Sequence, residues 1–160
     1  MPERTGNWMS WELVGAMLVE VARGRGGFGA LRTWFGVAPY ASSQDDELRA
    51  IAQMAGYALE APDAFIELSA DEARDALAFF AADNMVMPRG RPASAEAVQA
   101  LAKGIERLGP QARFFSNGRW HEYAKSSAFS SYAISNATFD GGLIGTNGEV
   151  AFIVWAEEDD

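Results

Sequence analysis

Carboxylates dominate the residues of this chain that can act as acids, bases or ligands. The sequence has a single histidine, His121, and no cysteine, which excludes thiolate nucleophiles, disulfides and thiolate metal sites. A metal at His121 would need its other ligands from carboxylates alone, and no His-x-Glu or Glu-x-x-His spacing supplies them. We therefore expect no bound metal and no cofactor, and we interpret His121 as a structural residue.

Asp140, Glu122 and Glu67 are the strand-borne candidates for a hydrolytic pair of carboxylates, and the alternative function uses Asp140 with Glu122. Asp140 precedes Gly141 and Gly142, a pattern typical of a bulge, a close backbone approach or an accessible cleft. His121 and Glu122 are neighbours on a predicted strand, so they point to opposite faces and cannot form a direct acid–base pair. Nothing in the spacing fixes the distance between Asp140 and Glu122. We expect no catalytic residues, and a small hydrolase or transferase is the alternative function.

A glycine-rich stretch at residues 24–29 matches the dinucleotide-binding pattern G-x-G-x-x-G. That pattern binds pyrophosphate where a strand leads into the glycines and a helix follows them. Here the preceding residues have the apolar spacing of a helix. We therefore interpret residues 24–29 as a mobile loop.

Negative charge is concentrated in two parts of the chain. The formal net charge is −9, with −8 in residues 45–83 and −4 in residues 157–160, against +1 in residues 1–44 and +2 in residues 84–156. This balance repels nucleic acid and anionic membranes and favours rapid association with basic proteins. The same charge is also typical of an acidic protein that is merely soluble. We predict a basic protein partner, and neither nucleic acid nor membrane.

The amino-terminal end lacks the charged-then-apolar pattern of a secretory signal. No apolar run reaches the roughly 20 residues that a membrane helix needs. We therefore expect a cytoplasmic protein.

Apolar residues recur at helical spacing through the first 110 residues, and serines mark several helix starts. We predict helices over residues 10–24, 43–59, 69–83 and 94–109, each beginning at a serine that can cap it. Residues 30–35 are predicted to be a short helix or turn, and residues 64–68 a strand. The first turn of the second helix carries Asp45, Asp46 and Glu47, whose charges also complement the helix macrodipole.

Two Asn-Gly dipeptides, at residues 117–118 and 147–148, predict type I′ hairpin turns, in which both central residues have positive φ. The first turn would place Phe115 opposite Trp120, Phe114 opposite His121 and Arg113 opposite Glu122. The second would place Asp140 opposite Trp155, Gly142 opposite Ile153 and Ile144 opposite Ala151. Residues 129–135 are predicted to form a further strand.

The order of helical and strand signals predicts the fold class. Apolar residues on both faces of residues 150–155 indicate an interior strand covered on each side. We predict an α+β fold, in which a helical N-terminal part of about four helices packs on a mainly antiparallel sheet formed largely by residues 112–156. The chain would be one domain, with a helical part (1–110), a hairpin part (111–156) and an acidic tail (157–160).

The C-terminal order of Thr-Phe-Asp-Gly-Gly at residues 138–142, a turn, an apolar strand and four acids resembles small acidic bacterial immunity proteins of polymorphic or secreted toxin systems. The resemblance covers about the last fifty residues. It implies a non-enzymatic protein that occludes the active site or basic surface of a cognate toxin with acidic and aromatic side chains. A related hypothesis is a phage or mobile-element inhibitor of a host defence complex, whose acidic surface mimics nucleic acid.

The residues expected to bind the partner are acidic or aromatic. On a rigid hairpin, the terminal acids would form an exposed acidic tip that steers association. Tryptophans are frequent interface anchors, and Trp155, Trp120 and Trp34 are the candidate anchors. The simpler interpretation is that all five tryptophans are core or half-buried. The predicted partner-binding residues are Glu157, Glu158, Asp159, Asp160, Asp45, Asp46, Glu47, Asp140, Trp155 and Trp120.

Overall fold

The computed structural model describes residues 2–27, 29–123 and 131–159. Within them the chain forms four α-helices and one antiparallel sheet of five strands, which confirms the predicted α+β fold class. In chain order the elements are α1 (Pro2–Arg25), β1 (Ala30–Val37), α2 (Gln44–Met54), β2 (Ile66–Leu68), α3 (Ala70–Phe80), α4 (Ala95–Leu108), β3 (Arg113–Ser116), β4 (Phe139–Thr146) and β5 (Val150–Glu158).

Three helices begin at the serines that the sequence indicates. The Ser43 hydroxyl accepts the backbone N–H of Asp46 at 3.2 Å. Ser69 and Glu72 form a reciprocal capping box, with bonds of 2.9 and 3.1 Å. The Ser94 hydroxyl accepts the backbone N–H three residues further on at 3.1 Å. These bonds satisfy N–H groups that the first helical turn leaves without an intrahelical partner.

Helix α1 is longer than predicted. It begins at Pro2, so Ser10 lies inside the helix and is not its N-cap. Proline suits the first helical position because its φ is fixed and its missing N–H would have no partner there. The helix also continues through Gly24 to Arg25. Its buried apolar residues, among those whose burial is described, follow the predicted spacing and are Val14, Met17, Leu18 and Val21.

The sheet is the middle layer of three. Its strand order is β1-β5-β4-β3-β2, with all neighbours antiparallel. Helices α1, α3 and α4 cover the face that carries Phe152 and Val154. Helix α2 and the segment after it cover the face that carries Ile153 and Trp155. The prediction that β5 is an interior strand covered on both faces is therefore confirmed.

The prediction of a helix or turn at residues 30–35 is wrong. These residues belong to β1, which pairs with β5 from Ala30–Glu157 to Val37–Val150. Thr33, Trp34, Phe35 and Val37 all favour strands, and the edge of β5 offers a pairing partner that no local pattern reveals. With β2, this strand adds two members from the first 110 residues to a sheet expected largely from residues 112–156.

The predicted hairpin at residues 117–118 does not form. Neither residue has positive φ, and Trp120–Glu122 is a 3₁₀ turn. Strand β3 pairs instead with β2 and β4, so Phe115 lies opposite Glu67 and Ile144. The Asn117 side chain is buried and used for long-range hydrogen bonds, which explains why the dipeptide does not act as a turn. Residues 131–135 form no strand, and 129–130 lie outside the described residues.

The terminal hairpin forms with a register two residues from the predicted one. Asp140 pairs with Glu157, and Ile144 with Ile153. The turn is displaced because Asn147 donates its backbone N–H to the Val150 carbonyl at 3.1 Å, and only Gly148 has positive φ, at 89°. A shift of two residues keeps every side chain on its predicted face, since side chains alternate with a period of two.

Candidate partner-binding surface

The last residue of β5, Glu158, lies inside the protein. Its carboxylate forms an ion pair with Arg25 at the end of α1 and accepts the backbone N–H groups of Met85 and Val86 at 2.9 and 3.1 Å. Its side chain is 6% exposed. The expectation of an exposed acidic tip is therefore wrong for Glu158, because buried hydrogen-bond donors surround its charge.

Arg25 ties this end of the sheet to the connector between α3 and α4. Its guanidinium donates to the carbonyl of Asp83 at 3.1 Å, and burial lowers the pKa of Arg25 to about 10, partly opposed by the charge of Asp83. The Asp83 carboxylate accepts backbone N–H groups from Arg89, Gly90 and Arg91. Residues 24–25 are thus helical and Arg25 is a buried anchor, which corrects the mobile-loop interpretation for that part of the glycine-rich stretch.

Glu157 is half-buried on the α2 face of the sheet. It accepts the Tyr57 hydroxyl at 2.5 Å and lies 3.4 Å from the Nε of Arg32. The Arg32 guanidinium also lies over the Tyr57 ring, 5.1 Å from its centroid. Asp159 is exposed and accepts the backbone N–H of Thr138 at 2.8 Å. Asp160 lies outside the described residues. The described terminal acids therefore each have an internal partner.

Tyr57 makes the contacts of Glu157 testable by alkaline titration. Burial, and then the hydrogen bond to Glu157, raise the pKa of the Tyr57 hydroxyl well above its usual value. Because the folded-state pKa exceeds the unfolded value of about 10, the stabilisation is present below that value and is lost as the pH rises above it. The stabilisation lost by pH 11 is on the order of 1 kcal/mol.

We expect Tyr57→Phe to lose less unfolding free energy between pH 8 and pH 11 than the wild type does, as measured by chemical denaturation. Tyr40→Phe is the matched control because the Tyr40 side chain is 98% exposed. Equal alkaline losses in wild type and Tyr57→Phe would contradict the described hydrogen bond.

Asp140 is buried, and its carboxylate accepts hydrogen bonds mainly from the backbone. Its carboxylate accepts the N–H groups of Ile134 and Ser135 at 2.9 and 2.6 Å and the side-chain amide of Asn117 at 3.2 Å. Burial raises the pKa of Asp140, although the hydrogen bonds from Ser135 and Ile134 oppose this shift. At 3% exposure it is not a surface residue, so its expected contact with a partner has no support from the geometry.

The alternative carboxylate pair does not assemble. Glu122 is exposed and bound by the guanidinium of Arg119 at 2.7 Å. It lies on the α3 side of the sheet, where His121 approaches Glu72 at 3.4 Å. Asp140 occupies the opposite face, which α2 covers. Within the described ranges, no three metal-ligating side chains converge on one point.

Both tryptophans expected to anchor a partner are core residues. Trp155 is fully buried and stacks on Phe65, with ring centroids 5.7 Å apart. Trp120 is 2% exposed, stacks on Phe79 at 6.0 Å, and donates its indole N–H to the Asn117 side-chain oxygen at 2.8 Å. Both therefore agree with the interpretation that the tryptophans are core residues, and each ring fills the space beside a sheet glycine.

The acids at the start of α2 are closer to the surface. Asp46 pairs with Arg49 at 3.2 Å, and Glu47 accepts the Thr146 hydroxyl at 3.2 Å. Asp45 is partly exposed in the same helical turn. Negative charge at a helix N-terminus is stabilised by the helix dipole, so these residues have a structural role whether or not they contact a partner.

The acidic segment of residues 45–75 passes around the β2 edge of the sheet. It runs from α2 on one face, through the edge strand β2, to α3 on the other face. Arginines on the same segment or on β3 neutralise part of its charge. Four of its acids have no hydrogen-bond or ion-pair partner among the described residues, and we call them the acidic surface: Asp45, Glu60, Asp63 and Asp75.

A cavity of about 540 Å³ opens beside this surface. Its lining comes from the end of α2 and the following segment, with Arg49, Gln53, Tyr57, Leu59 and Glu60 among the contributors. Glu60, Asp63 and Asp75 are not among the partner-binding residues predicted from the sequence. The charge of residues 45–83 indicated an acidic region, but only the path of the chain around the sheet edge shows which carboxylates stay unpaired.

None of the helices in the described part of the chain is long and apolar enough to cross a membrane. No known family model, curated protein or solved structure matches the chain.

Proposed function

We propose that this protein is a non-enzymatic inhibitor of a basic protein, and specifically the immunity protein of a bacterial toxin. The observation that carries the proposal is the placement of the two acidic segments. The three terminal acids that the structure describes, Glu157, Glu158 and Asp159, each have an internal contact, whereas the carboxylates of residues 45–75 lie mostly at the surface. The acidic charge of residues 45–75 therefore lies around the β2 edge of the sheet.

The acidic surface is suited to attract a cationic cleft. Most arginines near it are held by carboxylates of their own, as Arg74 is by Asp71 and Arg113 by Glu67. The charge left over is negative, and fields of this kind accelerate encounters with oppositely charged proteins in a salt-dependent way.

The cavity beside Glu60 supplies a concave contact within the acidic surface. Interfaces derive much of their affinity from a few side chains that enter well-packed pockets. A cationic or aromatic side chain of the toxin can enter between Leu59 and the α2 end, where Glu60 is one of the lining residues and Arg49 is held by Asp46. The concave contact and the negative charge would then lie at the same place on the protein surface.

Growth rescue tests the proposed function. The product of the gene next to this one is expressed in a bacterial host, alone and together with the protein. Immunity predicts that the neighbour alone arrests growth, that co-expression restores it, and that the two proteins co-purify. A neighbour that is harmless and does not bind would contradict the proposal.

Charge neutralisation tests the binding surface. We expect the variant Asp45→Asn/Glu60→Gln/Asp63→Asn/Asp75→Asn to associate with the toxin at least about 10-fold more slowly at low salt, with a flatter salt dependence, because steering is an electrostatic rate effect. Stopped-flow fluorescence measures both quantities.

A second variant with the same change in net charge is the matched control. It neutralises four exposed acids outside residues 45–75, namely Glu12, Glu96, Glu106 and Glu149. Equal slowing in both variants would show that only the net charge matters and would remove the β2 edge from the proposal.

A further inference from the structure

The two edges of the sheet differ in how they are protected. Strand β2 is three residues long, and its Glu67 is held by Arg113 at 2.7 Å. Strand β1 is eight residues long, contains neither proline nor lysine, and pairs with β5 without a bulge. Its one charged side chain, Arg32, turns towards Tyr57 and Glu157. Natural edge strands of this length usually carry a charge, a bulge or a proline that prevents pairing.

The free backbone groups of β1 can be assigned from one hydrogen bond. The Ala38 N–H donates to the Glu149 carbonyl at 2.8 Å, and hydrogen-bonded pairs alternate along an antiparallel ladder. Even-numbered residues from 30 to 36 therefore bond to β5. The odd-numbered residues point their N–H and C=O groups outwards, and none of these groups bonds to another described residue; they are Leu31, Thr33, Phe35 and Val37.

Apolar side chains accompany these free groups. Phe35 is 40% exposed and Val37 62% exposed, although both lie on a sheet strand. Trp34 is half-buried on the opposite face. A free ladder edge with apolar side chains on both faces is complementary to another strand.

We propose that a second copy of this chain pairs with β1 in antiparallel fashion, about a two-fold axis at Trp34, to form one continuous sheet of ten strands. Outward-pointing residues must pair with outward-pointing residues, and the register centred on Trp34 satisfies this. Thr33 then bonds to Phe35 of the second copy, and Leu31 to Val37 of the second copy.

Side chains in this register are self-complementary. Leu31 meets Val37 on the α1 face, and Thr33 meets Phe35, so apolar groups cover each other. On the other face Trp34 meets Trp34, and Arg32 meets Gly36, so no like charges are opposed. A two-fold axis requires that one patch match itself in this way.

The charge distribution also favours a second copy at this edge. The acidic surface lies around β2, four strands away from β1. Two copies joined through β1 hold their acidic surfaces at the far ends of the joint sheet, where repulsion is weakest. The inference is independent of the proposed inhibitor function, because it uses the opposite edge.

Proline at Thr33 tests the pairing. The Thr33 N–H points away from β5, so Thr33→Pro removes no bond within the chain, and edge strands tolerate proline at such positions. It removes two symmetric bonds between copies, and we expect the dimer dissociation constant to rise about 30-fold or more. Light scattering and sedimentation across a concentration series measure it, with Thr33→Ala as the control that keeps the N–H.

The wild type should sediment at twice 17.3 kDa at high concentration, and Thr33→Pro should shift to the monomer mass with an unchanged circular dichroism spectrum. A wild type that stays monomeric throughout, or a Thr33→Pro dimer as tight as the wild type, overturns the proposal.

Disulfide crosslinking tests the register, and it decides the matter if Thr33→Pro fails to fold. The chain has no cysteine, so a single introduced thiol is unique. Trp34 faces itself in a non-hydrogen-bonded pair with Cα atoms about 4.5 Å apart, within disulfide range. Trp34→Cys should give a covalent dimer on mild oxidation.

Thr33→Cys is the matched control. In the proposed register the two copies of residue 33 are diagonal neighbours, about 7–8 Å apart, which is too far for a disulfide without backbone movement. Crosslinking through residue 33 in preference to residue 34, or through neither, overturns the two-fold pairing at Trp34.

Discussion

Replacing Glu158 with glutamine should lower the free energy of unfolding by about 3–5 kcal/mol, because it leaves the Arg25 charge buried without its counter-ion. The change keeps the side-chain shape and one acceptor oxygen, corresponding to Oε1, which accepts the backbone N–H groups of both Met85 and Val86. For a chain of this size the loss corresponds to a fall in Tm of about 6–20 °C. Urea denaturation and calorimetry measure the two quantities.

Glu149→Gln is the control, since Glu149 is exposed at the β4–β5 turn, and its effect should stay within about 0.5 kcal/mol. The double variant Arg25→Met/Glu158→Gln should recover part of the loss, because it removes the buried charge together with its partner. If Glu158→Gln is as stable as Glu149→Gln, the terminal carboxylate is not held inside the protein, and the exposed acidic tip becomes tenable again.

The burial of Glu158 illustrates what sequence patterns leave out. Four consecutive acids after an apolar strand are typical of a solvated tail, and nothing local distinguishes Glu158 from its neighbours. Its environment depends on Arg25, which is 133 positions away in sequence. Because Arg25 lies in a glycine-rich stretch, its sequence context indicated a mobile loop.

Features governed by short-range physics were predictable. The capping serines Ser43, Ser69 and Ser94 each satisfy an N–H within three residues, so a window of four residues contains the whole interaction. The continuous apolar run of residues 150–155 likewise identified β5 as a strand covered on both sides. Each of its side chains lies on the predicted face despite the two-residue error in register, because the side-chain period is two.

The errors share a dependence on distant partners. Asn117 and Gly118 favour a hairpin by themselves, yet the Asn117 amide bonds to the Tyr132 and Asp140 carbonyls at 2.8 and 2.9 Å. Those bonds bind together segments that are 15 and 23 positions away, and they outweigh a local turn preference. Strand β1 was missed for the same reason, since only pairing with β5 makes it a strand.

The candidate site also has features that the sequence alone predicts and features that depend on distant partners. The net charge of residues 45–83 identifies an acidic region from the sequence alone, because charge adds along any segment. Which carboxylates remain free depends on arginines brought close by the fold, such as Arg113 beside Glu67. Glu60 and Asp63 are therefore partner-binding candidates that only the structure identifies. Asp140 and Trp155, by contrast, are buried.

Replacing Trp155 with alanine should destabilise the protein by about 3–5 kcal/mol, the cost of emptying a large buried aromatic site. Its ring packs between Phe65 and the space above Gly142, where an added Cβ would collide with it. An exposed partner anchor would instead lower affinity and leave stability unchanged. Thermal and chemical denaturation of the isolated protein therefore separate the two roles.

Phenylalanine substitutions give a sharper comparison. The Trp155 indole N–H is buried and has no hydrogen-bond partner among the described residues, so Trp155→Phe removes an unsatisfied donor. Trp120→Phe removes the same atoms but leaves the buried Asn117 oxygen without its donor, at a cost of about 1–3 kcal/mol. We expect Trp120→Phe to be the less stable variant by about that margin, and the reverse order would show that the Asn117 bond contributes nothing to the fold.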